Sequence, residues 1–465
     1  MAGFRMSTRT RSSQYTRHRR RAAARRRRVV LLLVVATALC IVGVALAYPQ
    51  LKGAETPTAA APAGDKQAAA AAGDKAGSGD AGGGSGGGAS SGAAGDDAGD
   101  GGGDGDGAAA AAAAMSANGL PVVTEEWPDW KPTPQAQAAI DLAIANGRPP
   151  QFLISSFDGA ADIDMYGTWL PLAEELGARF TFFVSGIYLL LPENATEYQP
   201  PHKPAGFSNL GGYAELAGSK SAEQNLYDNF RAFDVARMMG NEIGSHYVSH
   251  ICDESNTWTA EDWVSEQSQW ERLMLSPTEV NGLKTPITSI LTKDDFHGGR
   301  SPCLMGDKPA LYTAMRQLGY EYDASQEGIL GQWPTKQQGL WNFSLPSIPR
   351  VGSKYATLAM DYNFYFNHGK TDDPARLKTL ENWTYRSYMG ALNGLYTSNR
   401  APLSIGSHFA TWNHSVYNRA LERMLRKACT KPEVACVDYI TLARWLDQQS
   451  PAQLRKWNAG NFKQS

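Results

Sequence analysis

Residues 53–118 decide where a fold can begin. They are Ala, Gly, Asp and Ser almost throughout, with the run GGGSGGGASSG and a Gly/Asp repeat. Such a stretch buries too little apolar surface to offset its ordering entropy. Residues 49–118 are therefore expected to form a disordered, flexible linker. From about Asn118 the composition changes, and Trp, Tyr and Phe become frequent. Residues 119–465 are enough for one large α/β domain.

N-terminal to the linker, residues 1–28 hold eleven Arg and no acid. Residues 29–48 follow as an apolar run of about the ~20 residues needed to cross the hydrocarbon layer. A basic flank before an apolar span keeps the N-terminus in the cytoplasm and places the rest outside. We read 1–28 as a basic cytoplasmic segment and 29–48 as a transmembrane signal-anchor. Ala45-Leu46-Ala47 has the small-x-small pattern of a signal-peptidase site, so cleavage near Ala47 and secretion is the alternative. The whole chain carries 44 Lys+Arg against 46 Asp+Glu. Removing the Arg cluster leaves an acidic remainder, which argues against a nucleic-acid partner.

Beyond Asn118 the pattern is strand then helix, repeated. Strands are expected at Phe152–Ser156, Arg179–Val184, Glu242–Ser245, Tyr320–Ser325 and Leu403–Gly406. Helices are expected at Met165–Leu176, Leu226–Met239, Thr259–Leu275, Pro309–Leu318, Ser415–Ala428 and Tyr439–Gln448. This alternation implies parallel strands with crossover helices, as a doubly wound sheet or a barrel.

Five segments, four of them at the ends of expected strands, carry reactive side chains. In QFLISSFDG, Asp158 ends an apolar run and offers a general base or metal ligand. In EIGSHYVSH, the i, i+4 spacing of His246 and His250 places two imidazoles on one face of a helical turn, suited to one cation. GGRSPC supplies Arg300, a permanent charge able to orient a carboxylate, and Pro302, which rigidifies the turn. YEYDAS places Asp323 after a strand, and APLSIGSHFATW ends the last strand at His408. Amide hydrolysis needs a base for water, an electrophile for the carbonyl and a proton for the leaving nitrogen. Asp158, a cation on His246 and His250, and His408 would fill those three roles.

Trp333 and Trp412 lie near these segments and offer faces for sugar rings. Of the five Cys, Cys429 and Cys436 bracket a short loop and are expected to pair. A Cys252–Cys303 bridge would join the His loop to the Arg loop in an oxidising compartment. Zinc ligation by these Cys is the weaker alternative, since no CxxC spacing occurs.

The order SFDGA, SHYVSH, GRSPC, YDAS and a late SHF resembles the polysaccharide deacetylase family, the NodB-homology carbohydrate esterases. Gln332-Trp333-Pro334 after the YDAS segment is similar to its chitin-deacetylase-like branch. The likeness runs from about Phe152 to Leu446. It implies an α/β fold, a distorted (β/α) barrel, and removal of N-acetyl groups from an amino-sugar polymer of peptidoglycan or chitin type. It further implies a divalent metal, zinc first, with cobalt, nickel or manganese as alternatives. By this resemblance Asp158 is the base, His246 and His250 bind the metal, Arg300 orients Asp158, and His408 protonates the amine. Pro302, Trp333 and Trp412 would contact substrate. One position departs: the family's second Asp, a metal ligand, is Gly159 here. Asp158, Asp162 or Asp164 would have to replace it. A protein that kept the cleft, lost the reaction and binds envelope glycan is the alternative reading.

Overall fold

The computed structural model describes residues 119–123, 130–210, 221–460 and 462. The basic segment at 1–28, the anchor at 29–48 and the whole linker at 49–118 lie outside them. Among the described residues no helix is long and apolar enough to cross a membrane.

A mixed sheet and surrounding helices make an α/β fold. The central strand, β1 (Gln151–Asp158), is buried along its whole length. That burial on both faces is typical of a parallel strand covered by helices. Its C-terminal half pairs in parallel with β2 (Thr181–Val184), followed by β3 (Glu242–Ser245), β4 (Gly298–Gly299), β5 (Tyr322–Ile329) and β7 (Leu340–Pro349). The short β6 (Thr335–Gln337) and β8 (Ala356–Leu358) pair with β7 in antiparallel fashion. On its other edge β1 pairs with β9 (Leu403–His408), while β10 (Val434–Cys436) pairs with the first three residues of β1 on the edge that β2 takes further along.

The ladder closes on itself just after β8, where Met360 bridges Gly406 of β9. A Cβ at Gly406 would stand 2.6 Å from Met360 Cε, so a side chain at this crossing would push the Met360 methyl aside. The ring is thus a barrel whose β7/β9 seam is spanned by one bridge and the β8 segment rather than a full strand pair.

Among the described residues the α-helices longer than one turn are α1 (Pro134–Ala145), α2 (Ile163–Glu175), α3 (Ala222–Met238), α4 (Ala260–Leu275), α5 (Lys308–Gln317), α6 (Asp361–His368), α7 (Pro374–Tyr396), α8 (Trp412–Ala428), α9 (Tyr439–Asp447) and α10 (Pro451–Asn458). Local chemistry sets their starts. Thr259 and Asp262 form a reciprocal capping box on α4, and Asp438 accepts from Thr441 N on α9. The first residue of α9, Tyr439, is fully buried and plugs the barrel. Its ring lies 5.9 Å from Phe183, 5.4 Å from Tyr322 and 5.1 Å from Phe343. Its backbone N–H donates to Thr181 Oγ1, whose hydroxyl donates to the buried Glu242.

Every strand and helix expected from the sequence is present, β3 with the expected ends and the others with shifted ones, while β4, β6, β7, β8, β10, α1, α6, α7 and α10 had no sequence counterpart. A Gly-Gly strand offers no side chains to read. The buried stripe of α7 includes Thr384 and Ser387, which blur its apolar period.

Candidate active site

Asp158, His246, Arg300 and His408 each sit at, or one residue beyond, the C-terminal end of a strand: β1, β3, β4 and β9. That end of a barrel is where loops are free to carry chemistry while strands fix positions. In register, Asp158 lies directly opposite His408 across the β1/β9 pair.

Arg300 is the hub. It is fully buried, and each arm of its guanidinium has a partner. Nη1 donates to Asp158 Oδ1 at 2.7 Å, Nη2 to Tyr439 Oη at 3.0 Å, and Nε to the Ala324 carbonyl at 3.1 Å. The ring of Phe183 lies 4.7 Å from its charge. Burial alone would push the Asp158 carboxyl up. Arg300, His246 and His408 outweigh it and hold the group below its ordinary value, so Asp158 is an anion at neutral pH.

His246 is buried, and its Nδ1–H donates to the Arg300 carbonyl at 2.8 Å. That bond fixes the tautomer and leaves Nε2 with a free lone pair. Its ring centroid lies 5.2 Å from that of His250. Burial pushes both imidazoles down, His250 to about 3 with His246 and His408 adding to the effect. Both are neutral, as metal ligands must be.

The loop holding them is not a helical turn. After β3 the chain makes two left-handed residues, Tyr247 (φ 57°) and His250 (φ 57°), and these bring the rings together. The helical-face expectation is corrected accordingly. What stabilises the loop is the buried Glu266 of α4, which accepts from Val248 N at 3.0 Å and Tyr198 Oη at 2.6 Å. Burial raises Glu266 to about 7 against those bonds.

His408 is held differently. Asp361, at the start of α6, accepts from His408 Nδ1 at 2.7 Å, from its backbone N–H at 2.8 Å and from Ser407 Oγ at 3.0 Å. Burial lowers the imidazole, but Asp361 outweighs it and the net shift is upward. Of the three imidazoles, His408 is therefore the one that keeps its proton to the highest pH. Sequence reasoning did not find Asp361. It lies in a MDYN segment with no motif, 47 residues from its partner.

Gly159 has a left-handed φ of 68° and no side chain facing the His pair. Asp162 is spent elsewhere: it caps α2 by accepting from Asp164 N at 2.9 Å. Asp164 is exposed on that helix. Among the described residues the one set of three potential ligands within 4.8 Å of one another is His250, Cys252 and Cys303. Their two sulfurs are bonded to each other, so that set does not bind a cation as it stands. The second disulfide joins Cys429 and Cys436.

The remaining expectations divide. Trp412 is half-buried with its ring 5.1 Å from that of His408. Trp333 is corrected to a core residue: it is 5% exposed and donates Nε1–H to the Asn399 carbonyl, leaving no face for a ligand. Pro302 is likewise buried and shapes the turn after Arg300. Asp323 is buried behind that turn, where Ser325 links it to Ser301 N. His297 sits before β4, at the far end of the strands, beside a cavity of about 370 Å³ with Trp130, Arg237 and Arg444.

No family model and no curated protein sequence matches the chain. Solved structures do resemble it. One is a Mycobacterium smegmatis protein assigned as a polysaccharide deacetylase (TM-score 0.39, 12% identity, covering 71% of this chain and 97% of that one). A Streptococcus mutans CE4 esterase gives a TM-score of 0.33 at 11% identity, with 68% and 92% covered. A CE4 family pseudoenzyme from Bacillus anthracis gives 0.32 at 9% identity, with 63% and 66% covered. The likeness is one of fold. The functional reading rests on the side chains.

Proposed function

We propose that the chain is a metal-dependent hydrolase that removes N-acetyl groups from an amino-sugar polymer. The observation that carries this is the convergence of an ionised carboxylate, two neutral imidazoles and a protonated imidazole on one rim of the barrel. The two neutral imidazoles, one with its tautomer fixed toward a free Nε2, suit two corners of a divalent ion's shell. A divalent ion held by His246 and His250 would lower the pKa of water and polarise the acetyl carbonyl. Asp158, kept ionised by Arg300, accepts the proton of the attacking water. Arg300 fixes the orientation of that carboxylate through its three anchored arms. His408, kept protonated by Asp361, gives its proton to the departing nitrogen. The bond broken is the amide C–N, and the products are acetate and the free amine.

A cobalt titration tests the metal reading directly. We expect about one ion per chain, lost in His246→Ala and in His250→Ala. A second reading has one observation in its favour. Gly159 supplies no third ligand, which fits a protein that binds glycan with a decayed site. That reading predicts no bound metal and unchanged glycan affinity in Asp158→Asn. The tether belongs to the proposal too: residues 29–48 anchor the domain outside the membrane, and 49–118 give it reach.

A further inference from the structure

We propose that α6 and the start of α8 form an aromatic ledge binding a neighbouring sugar ring of a linear glycan. The inference rests on the hydrolase reading above and names a subsite for it. Four rings run outward from His408. Tyr362 lies 6.3 Å from the His408 ring and 5.4 Å from Trp412. Tyr365 stacks on Trp412 at 5.4 Å with planes 8° apart, and Phe366 lies 6.4 Å from Tyr362. Tyr362, Tyr365 and Trp412 are half-buried, whereas Phe366 is 69% exposed.

Exposing a phenylalanine beside three partly exposed aromatic rings costs hydration free energy that no contact among the described residues recovers. A pyranose ring recovers it by stacking its apolar C–H face on the aromatic surface, leaving its hydroxyls in water and near the Tyr hydroxyls. The ledge is also fixed in place. Asn413–Ser415 adopt left-handed φ of 48–61° just after Trp412. Asn413 donates to the Gly369 carbonyl at 2.9 Å and accepts from Thr371 N at 3.0 Å, locking the two halves together. Backbone of this kind persists only where its surroundings hold it. The continuity with His408 selects the occupant: a ring bound here belongs to the same polymer whose amide lies in the cleft. The ligand class is therefore an oligomer or polymer, not a lone N-acetyl sugar.

The test measures affinity of the full-length protein in detergent for N-acetylglucosamine oligomers, a disaccharide against a longer chain. The Asp158→Asn background, without added metal, keeps the ligand intact. The ledge predicts tighter binding of the longer chain, with that gain reduced about three- to tenfold by Phe366→Ala or Tyr365→Ala. Phe366 is exposed, so its loss leaves folding intact, and an unchanged melting temperature confirms this. A length gain that survives both substitutions overturns the ledge. So does a Phe366→Ala effect seen in self-association or detergent binding alone. Acetate release is scored separately on the unsubstituted protein, so a dead enzyme with a working ledge is told apart from the reverse.

Discussion

The Asp361 carboxylate holds the His408 imidazole by both its ring and its backbone, and in doing so sets its charge. Its raised pKa means the imidazole is protonated below that value and loses its proton above it. Any stability the pair contributes is present below the ordinary histidine value of 6.5 and is lost as pH rises through the raised one. Asp361→Asn removes the negative charge and lowers the imidazole's pKa. The alkaline limb of the rate–pH profile should move to lower pH, with the rate at neutral pH down ~100-fold or more. An unmoved limb would show that His408 is not the group titrating. Gly159 allows the opposite experiment. A Cβ there meets only Tyr188 Cε2, at 3.6 Å, and the left-handed φ costs an Asp about 1 kcal/mol. Gly159→Asp should raise metal affinity and acetate release together, measured by cobalt titration and turnover. Of the five side chains that converge, Asp158, His246, His250 and His408 were marked in the sequence because they follow apolar strands, and Arg300 because GGRSPC is a distinct local pattern. Asp361 was invisible because it meets His408 only through the closure of the barrel.

Among the elements, the loop after β3 shows where pattern reading goes wrong. The i, i+4 spacing of His246 and His250 suggests a helix, but the left-handed residues Tyr247 and His250 build a non-helical loop instead. Glu266 from α4 takes the place of helical hydrogen bonds. Its pKa is raised from 4.5 to about 7, chiefly by burial. Between those values the unfolded chain is ionised while the folded carboxyl keeps its proton, so stability falls as pH rises through that window. Glu266→Gln should flatten this fall in thermal melts across the same range. A slope equal to wild type would contradict the assignment. The disulfide from Cys252 to Cys303 acts on the same loop, with a sequence separation of 51. Chain-entropy arguments assign such a closure ~4 kcal/mol. The Cys252→Ser/Cys303→Ser pair should lower the denaturation midpoint and loosen metal binding by His250. The α7 helix and the β6–β8 strands went unread for a different reason: they cover the barrel seam, and their patterns make sense only once that seam exists.

For the molecule as a whole, the alternation of strands and helices already implied parallel strands with crossovers, and it could not choose between an open sheet and a ring. The choice is made by Met360 meeting Gly406, a contact between residues with no signature of their own. The N-terminal residues add a separate claim about place. A reporter fused after residue 118 should be active only outside the cytoplasm, and should become soluble if Leu or Val residues within 29–48 are replaced by Lys. A reporter that stays cytoplasmic removes the anchor from the account without touching the barrel. The central claim concerns chemistry at the rim. The most direct measurement is acetate release from N-acetylglucosamine oligomers by the purified protein, with and without added zinc or cobalt. The account predicts metal-dependent release that disappears in His246→Ala and in His408→Ala. Release that is indifferent to metal and survives both substitutions, or none under any metal even in Gly159→Asp, would contradict it.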